Sequence, residues 1–266
     1  MFPFHDNNPT ARYAVVTFAI IATNLVALLW LQSRPLIEQR VIVAQRGFVP
    51  ARIEQLRDPR LVVPVPIGTR EIPGRKLVQV EAVPLPPVSR QIYSSLFTCM
   101  FLHGGWMHLI GNMWFLYLFG NNIEDRLGHL GFTAIYLLGG LLATFAHWAW
   151  DPSSATPVIG ASGAVAAVLG AYTVTYPHAR VRTLIFLFVF ATVIELPAMA
   201  VLGLWFLGQL LEGIGALQLD LDGGVAWWAH VGGFIAGAAM MPLFARLLPL
   251  PHEEPIEAEL AHHFRD

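Results

Sequence analysis

Four side chains in otherwise apolar stretches could do chemistry together: Ser162, His230, His108 and Asn112. The serine stands in "VIGASGAVAAVLGAY" (158–172), His108 and Asn112 in "MHLIGNMW", and His230 in "AHVGGFIAG". A serine hydroxyl becomes a useful nucleophile when a base takes its proton, and histidine is the commonest such base. His108 and Asn112 are i and i+4, so a helix presents both donors on one face. Gly160 and Gly163 flank Ser162 and allow a tight entry from loop into helix. The Ser162 backbone N–H then lies at a helix N-terminus, where partial positive charge favours an anion. A nucleophile, a base and an oxyanion site are the parts that acyl transfer needs. No acid is evident to orient His230, so the pattern reads as a dyad.

Each residue alone has a plainer explanation. A serine in a Gly/Ala-rich span packs helices, and a span histidine or asparagine serves as an interhelical hydrogen-bonding group. What favours chemistry is a shared level in the membrane, and that depends on the elements that carry them.

Those elements are of membrane type. Of 266 residues, 55% are hydrophobic and 13% charged, against about 25% charged in a soluble domain. A net charge of −2 supplies no basic field for nucleic acid. The single cysteine, Cys99, excludes an intrachain disulfide framework. Apolar runs of span length fall at 13–31 and at about 105–121, 131–150, 160–177, 196–214 and 226–247. The first is too long for a signal-peptide core and no cleavage site follows it, which predicts a retained span. The later runs are separated by the polar breaks "NNIEDRLGH", "DPSSATP", "PHARVR" and "DLDGG". The stretch "TLIFLFVFATVIELPA" (183–198) reads as an interfacial or partly inserted segment, with Pro197 marking a helix start or a kink.

The expectation is an all-α membrane protein with six transmembrane helices. Spans two, four and six run in the same direction, and all four reactive candidates lie early in them. They share one shallow level below one face. Polar groups in lipid are costly, so such a layer marks a site. In span six, Gly233 and Gly237 form a GxxxG pair, and Gly163, Ala167 and Gly170 give span four a matching small face. Close packing of the two would bring His230 to Ser162.

Residues 32–91 differ in character. They hold 10 of the 16 Lys and Arg residues and many prolines. They read as a large polar loop between helices 1 and 2, within which "KLVQVEAV" could pair as a short strand. Arg126, Arg180 and Arg182 fall on one side of a six-span chain, which the positive-inside rule makes cytoplasmic. The basic 32–91 segment then lies outside, against the rule, although the rule is weak for loops of about 60 residues.

The motifs "HGGWMHLIGN", "GASG" and "AHVGGFIAG", in this order on separate spans, resemble those of the rhomboid intramembrane serine proteases over about residues 92–248. The resemblance implies a six-span rhomboid-like bundle with a water-filled cavity open to the extracytoplasmic side. It implies cleavage of substrate transmembrane helices near their outer ends. Ser162 matches the nucleophile, His230 the general base, and His108 and Asn112 the oxyanion residues. His103 matches a further histidine that ties the first loop. Glu124 and Arg126 in "NNIEDRLG" match a Glu-x-Arg feature that clamps a helix end. Two family features are missing. "IYSSLFTC" occupies the place of a Trp-Arg pair, and Ala166 stands where an aromatic residue packs on the histidine. Trp227 or Trp228 is then expected to steady His230.

The chain divides into a lead and first helix (1–31), the polar segment (32–91), a catalytic core (92–248) and a tail (249–266). No cofactor or metal is implied, and "HGGWMH" lacks the HExxH zinc-protease pattern. The implied partners are a transmembrane protein substrate and the bilayer, expected to be a bacterial inner membrane. Nothing signals an oligomeric state. His129, His147 and His178 near span ends, and His262 and His263 in the tail, read as incidental. Glu195 and Glu212 read as facing an interface, and most tryptophans, Trp205 among them, as interfacial anchors. Two rival functions were open at this level. A non-catalytic rhomboid-like client binder predicts loss of the serine or histidine, and the chain keeps both. A transporter lined by His108, Asn112 and Glu195 predicts internal symmetry, and none is visible.

Overall fold

A computed structural model describes residues 2–71, 78–187, 190–219 and 226–248. In chain order the elements begin with β1 (Phe2–Asp6), α1 (Val15–Gln32), α2 (Leu36–Arg46), β2 (Val63–Glu71), β3 (Val78–Leu85) and α3 (Ser89–Thr98). Next come α4 (Trp106–Trp150), α5 (Ser162–Thr175), β4 (Arg180–Leu187), β5 (Phe190–Pro197), α6 (Ala198–Leu219) and α7 (Trp227–Leu247). The fold is mostly helical. Among the described residues, α1, α4 and α7 are long and apolar enough to cross a membrane, while α5 and residues 198–214 of α6 are shorter apolar helices. The expected "DLDGG" break and the 249–266 tail, with His262 and His263, lie outside the described residues.

The longest element carries two of the expected spans. α4 turns at Gly128, whose φ of 69° and ψ of 172° suit glycine. Both ends of α4 then reach the start of α5: His108 lies against Gly160, and Ala143 lies against Gly163. The polar stretch "NNIEDRLGH" is therefore not a loop but helix up to Gly128. Its carboxylates find partners in the chain that leads into α1. Asp125 accepts from the backbone N–H of Ala11 at 3.0 Å and of Arg12 at 2.7 Å.

Glu124 sits at the start of α1 and is almost fully buried. The helix has no side-chain cap of its own. The Glu124 carboxylate accepts from Val16 N–H, Thr17 N–H and the Thr17 hydroxyl, each at 2.7 Å. It thus satisfies N–H groups that a helix start leaves open, at its positive end. The fourth contact is His129 Nδ1 at 2.6 Å. Glu124 thus clamps a helix end with Thr17 and His129 as its side-chain neighbours, and among the described residues Arg126 is not a partner of its carboxylate.

α5 and α7 pack through glycine. A Cβ built on Gly237 would collide with the backbone carbonyl oxygen of Ala167, one on Gly233 with that of Gly163, and one on Gly170 with that of Phe234. Hydrogen is what allows these backbones to touch, and dispersion across the contact is what holds helices together where water gives no drive.

Two regions depart from an all-α expectation. The 183–198 stretch lies almost wholly in the antiparallel hairpin β4–β5, to which β1 adds on the β4 side. Its run of Val, Ile, Thr and Phe suits a pleated surface, and α6 starts directly after Pro197. Glu195 lies there, 3.6 Å from Arg182 and 3.5 Å from Asn7. Residues 32–91 are likewise no plain loop. They form α2, a 3₁₀ turn (Pro50–Leu56) and the β2–β3 hairpin, which includes the "VQVEAV" part of the expected strand. Ala44, Val49, Val65 and Leu85 make a small core there. Buried Arg52 donates to Gln55 Oε1 at 3.1 Å and to the Pro86 carbonyl at 3.2 Å. Phe48 and Val158 exchange backbone hydrogen bonds, which ties this segment to the loop leading into Ser162.

Glycine substitutions should separate packing from propensity. Gly237→Ala should lower the thermal midpoint in detergent, by about 1–3 kcal/mol of stability, since backbone must move. Gly203→Ala, on α6 with nothing within 4 Å of the added Cβ, should leave it unchanged or raise it. Equal effects would contradict the packing account.

Candidate active site

Ser162 is the first residue of α5, preceded by a loop held from several sides. Gly160 N–H donates to the Cys99 carbonyl at 2.9 Å, and Val158 is pinned by Phe48. Gly160 has φ +119°, a conformation that L side chains rarely adopt. A Cβ there would also lie 2.6 Å from His108 Nε2 and 3.6 Å from Asn112 Nδ2. Glycine is thus required twice over, by backbone angle and by the donors beside it.

His230 lies in the first turn of α7 and is buried. Its Nε2 is 2.7 Å from Ser162 Oγ. The glycine contacts of α7 with α5 set this distance. On its other edge, Nδ1 lies 2.5 Å from Gln209 Oε1 of α6. An amide oxygen only accepts, so Nδ1 carries the proton and Nε2 is left to accept from the serine. Trp227 stands edge-on to the ring at 6.0 Å between centroids, and Trp205 lies against it at 6.1 Å. Trp228 instead stacks on Trp150 at 4.1 Å. Of the two tryptophans proposed to steady His230, Trp227 is the neighbour. Trp205 also packs inside, between Phe115, Phe234 and His230, rather than serving only as an interfacial anchor.

His103, His108 and Asn112 form the opposite wall. The His103 and His108 rings meet edge to face at 5.0 Å. His103 Nε2 accepts from Asn112 Nδ2 at 3.1 Å and from Ala161 N–H at 3.4 Å. Two donors on one nitrogen leave His103 neutral with its proton on Nδ1. Burial, with the His108 ring beside it, pushes His103 down to about 4. One Asn112 amide proton is spent on His103; the other is available to a ligand. Cys99, nearby, is no rival nucleophile, because burial pushes its thiol up to about 12. A cavity of about 300 Å³ borders this wall, between Leu31, Arg40, Ile67, His103, Gly104 and Ile159.

The expected residues divide by location. Ser162, His230, His108, Asn112, His103, Gly160 and Gly163 gather where the first turns of α4, α5 and α7 meet. Gly233 and Gly237 follow one and two turns below His230, against α5. Glu124 and Arg126 lie in the middle of α4, just before its turn at Gly128, and apart from this group. Glu195 lies in the β4–β5 hairpin that follows α5, opposite Arg182, and not with His108 and Asn112 on α4. Among the described residues, no three His, Cys, Asp or Glu side chains are grouped to hold a metal. Sequence reasoning missed Gln209. The signal was present: Gln209 and Glu212 are the polar residues of an otherwise apolar span, and such residues mark sites.

Two outcomes follow from the wall. Gly160→Ala should cost about 1–3 kcal/mol in thermal stability and displace His108; a variant with wild-type stability would contradict the strain. His103 has a folded pKa below its ordinary 6.5, so its contribution is complete above about pH 6.5 and is lost as pH falls toward 4. Wild type should therefore lose more stability between pH 7 and pH 4.5 than His103→Asn does, measured by thermal melts at each pH.

Comparison with known proteins agrees with this geometry. The model of the Rhomboid domain family matches residues 90–247. The presenilin-associated rhomboid-like protein, mitochondrial, of Bos taurus is 27% identical over 174 residues, which is 62% of this chain and 42% of that protein. The Homo sapiens protein of the same name is 26% identical over 174 residues, with the same coverage. Rhomboid-like protein 11, chloroplastic, of Arabidopsis thaliana is 43% identical over 68 residues, 26% of this chain and 24% of that protein. The chain spans less than half the length of these curated relatives. The family match covers more than half of the chain and includes every residue of the serine–histidine site, so the chain belongs to the rhomboid family.

Proposed function

We propose that this chain is an intramembrane serine endopeptidase that cleaves transmembrane protein substrates near the outer ends of their helices. The observation that carries this reading is Ser162 Oγ, at the first turn of α5, 2.7 Å from His230 Nε2. General-base activation needs this hydrogen-bonded reach.

In the proposed reaction, Ser162 Oγ attacks the carbonyl carbon of the scissile peptide while its proton passes to His230 Nε2. The C–N bond breaks, and His230 returns the proton to the leaving amine. Water then enters, gives a proton to His230 and attacks the ester. The C–Oγ bond breaks, Ser162 regains its proton, and the acid product leaves. The Ser162 N–H, free of an intrahelical partner at the helix start, is one oxyanion donor. His108 and the second amide proton of Asn112, both against Gly160, are the others.

The proposal includes six crossings: α1, the two arms of α4, α5, α6 and α7. It puts the Ser162 end outside, open to water, and the Glu124 end inside. Water must reach the site from that end, because a closed hydrocarbon core holds none. The names of the relatives place those proteins in mitochondria and chloroplasts. For this chain the bacterial inner membrane is part of the proposal, and the integral membrane setting is the part its helices support.

A fluorophosphonate probe should label Ser162 and no other serine, read by peptide mapping. Ser162→Ala and His230→Ala should each lower cleavage of a transmembrane test substrate at least about 10³-fold. Cleavage that survives Ser162→Ala would end the serine mechanism.

A further inference from the structure

His230 has a second partner that the dyad does not use. Gln209 and Trp205 are one turn apart on α6, so both point the same way. Both meet His230: Trp205 by its ring, Gln209 by its amide oxygen on Nδ1. The other side of α6 is open, with Leu204, Leu207 and Leu211 exposed. α6 thus gives one face to the surroundings and one to the histidine.

We propose that Gln209 is the positioning residue of the Ser162–His230 pair. Its carbonyl oxygen selects the tautomer with the proton on Nδ1, which aims the bare Nε2 at the serine hydroxyl. The opposite tautomer would need the Gln209 amide turned over, its NH2 donating to bare Nδ1, and would remove the proton acceptor from Ser162. During acyl transfer His230 becomes charged, and the Nδ1–H bond to Gln209 becomes charge-assisted and stronger. An interaction that strengthens in the transition state raises kcat and leaves KM alone. A neutral amide suits this location. A carboxylate in the resting enzyme would be a buried charge on a helix that borders lipid, whereas the amide offers the same directed acceptor without that cost. The inference rests on the proposed Ser162–His230 chemistry.

The test uses the purified full-length chain in bilayers. Gln209→Met keeps side-chain length but removes the acceptor. It should lower kcat and the rate of fluorophosphonate labelling at Ser162 by about 10- to 100-fold, with KM within about twofold. Gln209→Glu restores an acceptor oxygen and should recover most of the loss. ¹⁵N NMR of the His230 ring should show Nδ1 protonated in wild type. A Gln209→Met enzyme with wild-type kcat would overturn the proposal, as would wild-type His230 protonated on Nε2 at rest; the second measurement stands even if the variant misfolds. Wild-type chain that resists labelling at Ser162 would remove the dyad reading and this one together. Normal labelling that depends on His230 but not on Gln209 would remove only this one.

Discussion

Two helix backbones in contact are the constraint from which the rest follows. α5 brings Ser162 and α7 brings His230, and neither residue can reach the other unless the helices lie closer than side chains permit. Gly163, Gly170, Gly233 and Gly237 supply that closeness, each facing a carbonyl or a small side chain of the neighbouring helix. Lipid gives no hydrophobic drive to such a contact, so it must be made by shape. The 2.7 Å serine–histidine distance is therefore a consequence of missing side chains several residues away.

Around that contact, hydrogen bonding is arranged with little charge. His103 is held neutral by two donors, and His230 leans on an amide rather than a carboxylate. The buried carboxylate of Glu124 is heavily used: it takes three donors from α1 and one contact from His129. The contrast has a simple cause. A carboxylate at a helix N-terminus meets unpaired N–H groups and a favourable dipole, while one beside His230 would meet mainly aromatic rings.

The 32–91 segment gains a structural sense from its connections. It folds around its own small core and exchanges backbone hydrogen bonds, through Phe48, with Val158. It also holds Ala51 N–H to the Ser154 carbonyl at 3.0 Å. The loop before Ser162 is thus fixed from outside by a folded unit, and from below by His103 and Cys99.

The sequence by itself singled out Ser162, His230, His108 and Asn112 and the small-residue helix faces that join α5 to α7. Those are one-dimensional facts: spacing of small residues, rarity of polar groups in apolar runs, and the direction of each run. It also marked Pro197 as a helix start or kink, and α6 begins directly after it. Other features were decided only by tertiary structure. The 183–198 run pairs as β4–β5 because β1, from the other end of the chain, is there to extend the sheet. The "NNIEDRLGH" stretch stays helical because Glu124 and Asp125 have α1 and its lead to bind. Gln209 becomes a partner of His230 because α6 docks with Trp205 and Gln209 inward. In each case the deciding partner lies at least 21 residues away in the chain. Local spacing carries no record of which distant group will stand opposite, and only the packed helices set that.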